Sequence, residues 1–128
     1  MPHFIVEYSA NLDGKVDIKG LCDAILDAAI DADVFELGAI RVRALRCEAY
    51  AIADRLPENG FVDLSLRLAA GRAIEVKKKL GDAVFAAVES FLAPLFETPH
   101  FALSFEIREI DPDFSWKKNA IHPRLRGK

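Results

Sequence analysis

The sequence predicts an α+β fold: two fused β-α-β units whose four strands form one mixed sheet with two helices on one face. Three observations carry this. Strand-like alternation of apolar residues recurs four times, helical spacing recurs twice, and the order is strand–helix–strand, then strand–helix–strand. Each helical stretch has a length suited to a right-handed crossover between parallel strands. The two units share a ground plan with little identity, which reads as an old duplication. With 128 residues there is room for one domain with a real core, and not for two ordinary ones. The expected organisation is a single domain over 1–128, with units at about 2–50 and 60–110 and a C-terminal tail at 111–128.

Residues 3–8 alternate, with Phe4, Val6 and Tyr8 on one face and His3, Ile5 and Glu7 on the other. The same parity puts Pro2 with Phe4. "NLDGKVD" breaks the pattern and offers Asp17 as a helix N-cap. Ile18, Leu21, Ile25 and Ala29 then recur at helical spacing, with Lys19, Asp23 and Asp27 opposite, as in an amphipathic helix covering a sheet. "LGAIRVRALR" is the second strand, where Ile40, Val42 and Ala44 alternate with Arg41 and Arg43. The turn-rich end of "EAYAIADRLPENG" closes the first unit.

In the second unit Val62, Leu64, Leu66 and Leu68 alternate with Asp63, Ser65 and Arg67. "AAGR" turns into a helix carrying Val76, Leu80, Val84, Ala87, Phe91 and Leu95, which Pro94 bends or stops near its end. "HFALSFEIREI" is the last strand. The tail "DPDFSWKKNAIHPRLRGK" reads as irregular and packed against something by Phe114 and Trp116. Some strands carry apolar residues on both parities, as with Phe4 and Ile5 or Ile40 and Leu45. That predicts oligomerisation through the face the helices leave bare.

Composition narrows the function. No apolar run reaches the ~18 residues needed to cross a bilayer, and the opening lacks a secretory signal. The expectation is a soluble, cytoplasmic protein with no membrane partner. A net charge of −3 argues against nucleic acid as a partner, which favours a basic balance. Cys22 and Cys47 are far apart and outside any CxxC, so reduced thiols are expected. The histidines and cysteines lack metal-ligand spacing, and no metal is expected.

The chemistry centres on "MPHFIVEYS". Proline can open an edge strand, where its missing N–H costs nothing. It can also become the chemically active end of the chain, because a small second residue usually permits removal of Met1. That step exposes a secondary amine. An ordinary α-amino group titrates near ~7.7–8.0, and burial or nearby cations lower that value by disfavouring the protonated form. A neutral Pro2 can then accept a proton and return it elsewhere on a substrate. Arg41 and Arg43 project from one strand face, and Arg72 sits in the turn ahead of the second helix, where free N–H groups favour anions. Guanidinium forks match carboxylates. For Arg41 and Arg43 the competing reading, pairing with Glu7 or Glu106, stays open. His3 and His122 read as structural and Cys22 as core. Ser9 and Ser104 have no evident His/Asp partners, so a hydrolase triad has no support.

"PHFIVEYS", "GAIRVRA", "LRLAAGRAIEVKKKLGD" and "ALSFEIREI" followed by "WKKNAIH" occur in order along nearly the whole chain. Together they resemble the 5-carboxymethyl-2-hydroxymuconate isomerases of the tautomerase superfamily. The resemblance implies a homotrimer with an N-terminal proline as catalytic base, here Pro2. It implies a place in homoprotocatechuate meta-cleavage, in 4-hydroxyphenylacetate degradation. The substrate would be a dienol with three carboxylates, bound by Arg41, Arg43 and Arg72. Pro2 would take the 2-hydroxyl proton and deliver one to C5, with no metal or organic cofactor. The second unit begins inside the chain and has no free amine, so one site per subunit is expected, at a subunit boundary. The alternatives are a tautomerase-scaffold relative acting on another enol acid, and a trimeric binding protein without catalysis.

Overall fold

Period-2 patterning builds the sheet. In the computed structural model, which describes residues 1–127, the strands are β1 (His3–Ser9), β2 (Arg41–Cys47), β3 (Gly60–Ala69) and β4 (Phe101–Ile110). Their spatial order is β2-β1-β3-β4. β1 runs parallel to β2 and β3 parallel to β4, while β1 and β3 are antiparallel. Each unit thus keeps its own parallel pair, and the units join through their first strands into the expected mixed sheet. Phe4 pairs with Leu66, Val6 with Leu64 and Tyr8 with Val62. All six side chains are buried.

The helices α1 (Ile18–Asp31) and α2 (Ile74–Phe91) cover that face. Asp17 caps α1 as its sequence position predicts, its Oδ1 accepting from the Gly20 N–H at 3.0 Å. Leu21, Ile25 and Ala29 of α1 and Leu80, Val84 and Val88 of α2 join the strand residues in one core cluster. Each large aliphatic side chain buried there contributes about 1.5–3 kcal/mol relative to exposure. The opposite face carries Ile5 and Leu45 among charged residues, and α1 and α2 leave it uncovered.

Two details differ from the sequence reading. α2 ends at Phe91, and Pro94 lies in a following 3-10 turn, Ala93–Glu97, from which Leu95 still packs on the core. Proline cannot donate to a helix and clashes with the turn before it. The tail is not wholly irregular: it ends in a short helix, α3 (Ile121–Arg126). Within the chain Phe114 and Trp116 stand 75% and 86% exposed, so what they pack against is not this chain's own core. The fastening is polar. Asn119 Nδ2 donates to the Gly38 carbonyl at 2.9 Å, and Arg126 pairs with Glu36 at 2.7 Å. Gly38 is required for this fit, since a Cβ there would meet His122 Nδ1 at 2.8 Å. Both cysteines are free thiols and half-buried, so Cys22 is not fully in the core. Among the described residues, no helix is long and apolar enough to cross a membrane.

Candidate active site

Because β1 is an interior strand, the chain's first residues are delivered to the end of the sheet between β2 and β3. Pro2 is buried there, with its carbonyl accepting from the Arg41 N–H at 3.2 Å. Met1, bonded to the Pro2 nitrogen, lines a cleft of about 420 Å³ together with His3, Arg41, Arg67 and the tail segment carrying Trp116 and Lys117. Among the described residues no Asp or Glu contributes to that lining. In a chain with net charge −3, the N-terminal cleft is a local concentration of cations.

Register explains the grouping. His3 pairs with Arg41 on one side and Arg67 on the other, so all three project together from the helix-free face. Arg41 Nη1 lies 3.4 Å from His3 Nε2, and its Nη2 reaches the Met1 Sδ at 3.1 Å. Arg43 stands one step along β2, exposed, with Nη1 at 3.3 Å from His3 Nδ1. A neutral imidazole carries a single N–H, so His3 can accept from only one of these arginines at a time. Among the described residues neither Arg41 nor Arg43 pairs with Glu7 or Glu106.

Arg72 lies apart from this row. Its Nη2 donates to the Val34 carbonyl at 3.3 Å and its Nη1 to the Ala69 carbonyl at 3.4 Å. The guanidinium stacks 5.0 Å over the Phe35 ring, which in turn meets Phe4 edge-on. The structure therefore brings Arg41 into the cleft beside Met1, sets Arg43 behind His3, and holds Arg72 outside the lining on two carbonyls and an aromatic face.

The electrostatic result is consistent. The Met1 amine is held below its ordinary range, first by burial and then by Lys117, Arg72, Arg41 and Arg67. The His3 pKa is lowered to about 4, first by burial and then by Arg67, Arg41 and Arg43. Near neutral pH the imidazole is uncharged.

The family model of 5-carboxymethyl-2-hydroxymuconate isomerase matches residues 2–125. The chain belongs to this family. It is 34% identical over 122 residues to the 5-carboxymethyl-2-hydroxymuconate Delta-isomerase of Escherichia coli, covering 95% of this chain and 97% of that one. The crystal structure of a 5-carboxymethyl-2-hydroxymuconate isomerase from Deinococcus radiodurans is 41% identical, with a TM-score of 0.91 over 98% of this chain and 94% of that chain. The fold extends further: a wild-type symmetric trimer of fused 4-OT shares it at 18% identity, with a TM-score of 0.61 over 91% of this chain and 93% of that chain. The chain is thus an isomerase on a tautomerase-type α+β scaffold.

In this isomerase the cleft contains residues that the strand and motif patterns alone do not single out. Arg67 reads as one more polar position alternating with Asp63 and Ser65, and only the β1–β3 register places it beside His3. Lys117 falls in the tail, inside "WKKNAIH", where the motif was a signal of kinship without an assigned task. His3 reads as structural, yet it lines the cleft.

Proposed function

We propose that this isomerase converts 5-carboxymethyl-2-hydroxymuconate, a tricarboxylate dienol, to its unsaturated 2-oxo isomer, with Pro2 as proton carrier. The observation that carries the reading is a cleft lined by Met1, which is bonded to the buried Pro2, and by cations, with no carboxylate among the described residues of its lining. Loss of Met1 frees the Pro2 nitrogen as a secondary amine. The burial and cations that lower the Met1 amine act on that nitrogen too, favouring the neutral base.

The proton balance is internal. Neutral Pro2 takes the 2-hydroxyl proton, and the oxygen's electron pair becomes the second bond of C2=O. The C2=C3 pair moves to C3=C4, and the displaced C4=C5 pair takes a proton from protonated Pro2 at C5. Nothing is gained or lost, so the reading asks for no redox partner or cofactor. Arg41, beside the amine, is best placed to bind the C1 carboxylate and stabilise charge developing at the 2-oxygen. Arg43 supports it from behind His3. Arg72 acts on the amine through space and holds the turn ahead of α2. The working unit is a homotrimer, a reading supported by the uncovered sheet face and by the trimeric state of fused 4-OT.

Intact mass of the purified protein, paired with spectrophotometric decay of the dienol, tests this. A mass lacking Met1 together with rapid decay is the expected result. A Met1-retaining form should be nearly inactive and recover after aminopeptidase treatment. Full activity with Met1 still attached would overturn the role of Pro2, because an amide nitrogen has no basic lone pair to offer.

A further inference from the structure

Three carboxylates need matching positive groups, and the arginines named so far do not all reach the cleft. Arg72 has both terminal nitrogens engaged by the Val34 and Ala69 carbonyls. Arg43 stands exposed behind His3 and is absent from the cleft lining. Arg41 alone of the three lines it. We infer that Arg67 and Lys117 form a second anion clamp in the same cleft, which reads the carboxymethyl carboxylate and so sets the preference for a tricarboxylate. The inference rests on the Pro2 reading for its substrate and extends it to two further residues.

Placement supports the pair. Arg41 and Arg67 flank His3 on neighbouring strands, so two strand spacings, about 10 Å, separate their backbones. That spread suits carboxylates at different points of an extended acid better than a single carboxylate held by both. Neutral His3 between them keeps the two guanidiniums apart without adding a charge that competes for the anion. Lys117 approaches from the tail and is the strongest of the charges acting on the terminal amine.

Availability points the same way. Among the described residues Arg41, Arg67, Lys117 and Lys118 all border the cleft, and none of the four is held in an ion pair. Lys117 is not on a loose end either. Two residues on, Asn119 is bonded to the Gly38 carbonyl, and the Arg126–Glu36 pair fastens the helix beyond it. A lysine so anchored loses less freedom when it meets an anion, which makes the contact more effective.

The test uses protein verified by mass to lack Met1, assayed on the tricarboxylate dienol and on 2-hydroxymuconate, the same dienol without the carboxymethyl group. For the wild type the ratio of kcat/KM values should favour the tricarboxylate. Arg67→Gln and Lys117→Gln should each reduce that ratio about tenfold, mainly through a higher KM for the tricarboxylate. Both positions border an open cleft, so thermal midpoints should stay near wild type, and a circular dichroism melt checks that folding is not what changed. An unchanged ratio, or equal loss on both substrates, overturns the clamp. Calorimetric binding of the saturated tricarboxylate analogue separates the two readings. If the wild type binds it, the variants bind it about tenfold more weakly, and no protein turns over either dienol, the clamp stands and the Pro2 mechanism falls. If the variants bind it as the wild type does, the clamp falls whatever the turnover.

Discussion

His3 stands between Arg41 and Arg43, and its pKa of about 4 reflects burial first, then the charges of Arg67, Arg41 and Arg43. In the unfolded chain a histidine takes up its proton near pH ~6.5. Between that value and about 4 the unfolded state therefore binds more protons than the folded one. Stability must fall as pH drops through this window, and this group adds nothing further below it. His3→Gln should flatten the thermal midpoint against pH between 6.5 and 4, relative to wild type. A slope identical to wild type would show that His3 is not the responsible group. The neighbouring residue gives a second prediction. Pro2→Ala retains an amine but changes its basicity and geometry, so turnover should fall about 100-fold or more while the melt and oligomeric state stay unchanged. Near-normal turnover would remove Pro2 as the base. At this scale Pro2 and Arg41 were legible as candidates, because a small second residue permits removal of Met1 and strand alternation puts Arg41 and Arg43 on one face. Arg67 was not, because its meaning lies in an antiparallel register between strands more than fifty residues apart.

The long elements were legible because each repeats its period many times. Four alternating strands and two apolar helix faces emerge where the pattern puts them. Their ends were harder. Leu95 keeps the helical spacing through a 3-10 turn, so period alone could not show that α2 stops at Phe91. α3 has six residues and buries none of them fully, leaving no periodic signal to read. What lets it dock there is the bare backbone at Gly38. A Cβ there would lie 2.8 Å from His122 Nδ1 and 3.2 Å from the His122 backbone nitrogen, so the helix itself must move. Gly38→Ala is expected to cost about 1–3 kcal/mol of stability in urea unfolding, in line with other overpacked sites. It should also raise KM for the tricarboxylate, since Lys117 is carried on the same tail. Loss of stability without a change in KM would mean that the tail segment is positioned independently of α3. If neither quantity moves, the Gly38 contact is not what holds the tail.

For the whole molecule, the question is what lies against the sheet face that α1 and α2 leave uncovered. The strand parities of Ile5 and Leu45 made that face legible in the sequence as something to be covered, and its surface area now gives the idea a measure. The chain exposes 8114 Å², whereas a monomer of 14.2 kDa is expected to expose about 6800 Å². An excess of about 1300 Å² marks a surface more extended than a lone chain of this mass usually has, as expected of a protomer that packs against neighbours. The exposed apolar residues agree, with Leu45 on the bare face and Phe114 and Trp116 on the tail. The sequence could not say which of these surfaces meet, because assembly geometry has no periodicity along one chain. Sedimentation equilibrium should give three times the chain mass. Trp116 is the only tryptophan, so its emission reports one place. If the tail lies at the subunit boundary, that emission should be blue-shifted in the assembled protein and move to the red when dilution or mild denaturant separates the subunits. A monomer mass at micromolar concentration would refute the trimer. A trimer with red-shifted tryptophan throughout would keep the ring and remove Trp116 from its interface, leaving the cleft of each subunit to be completed by its own chain.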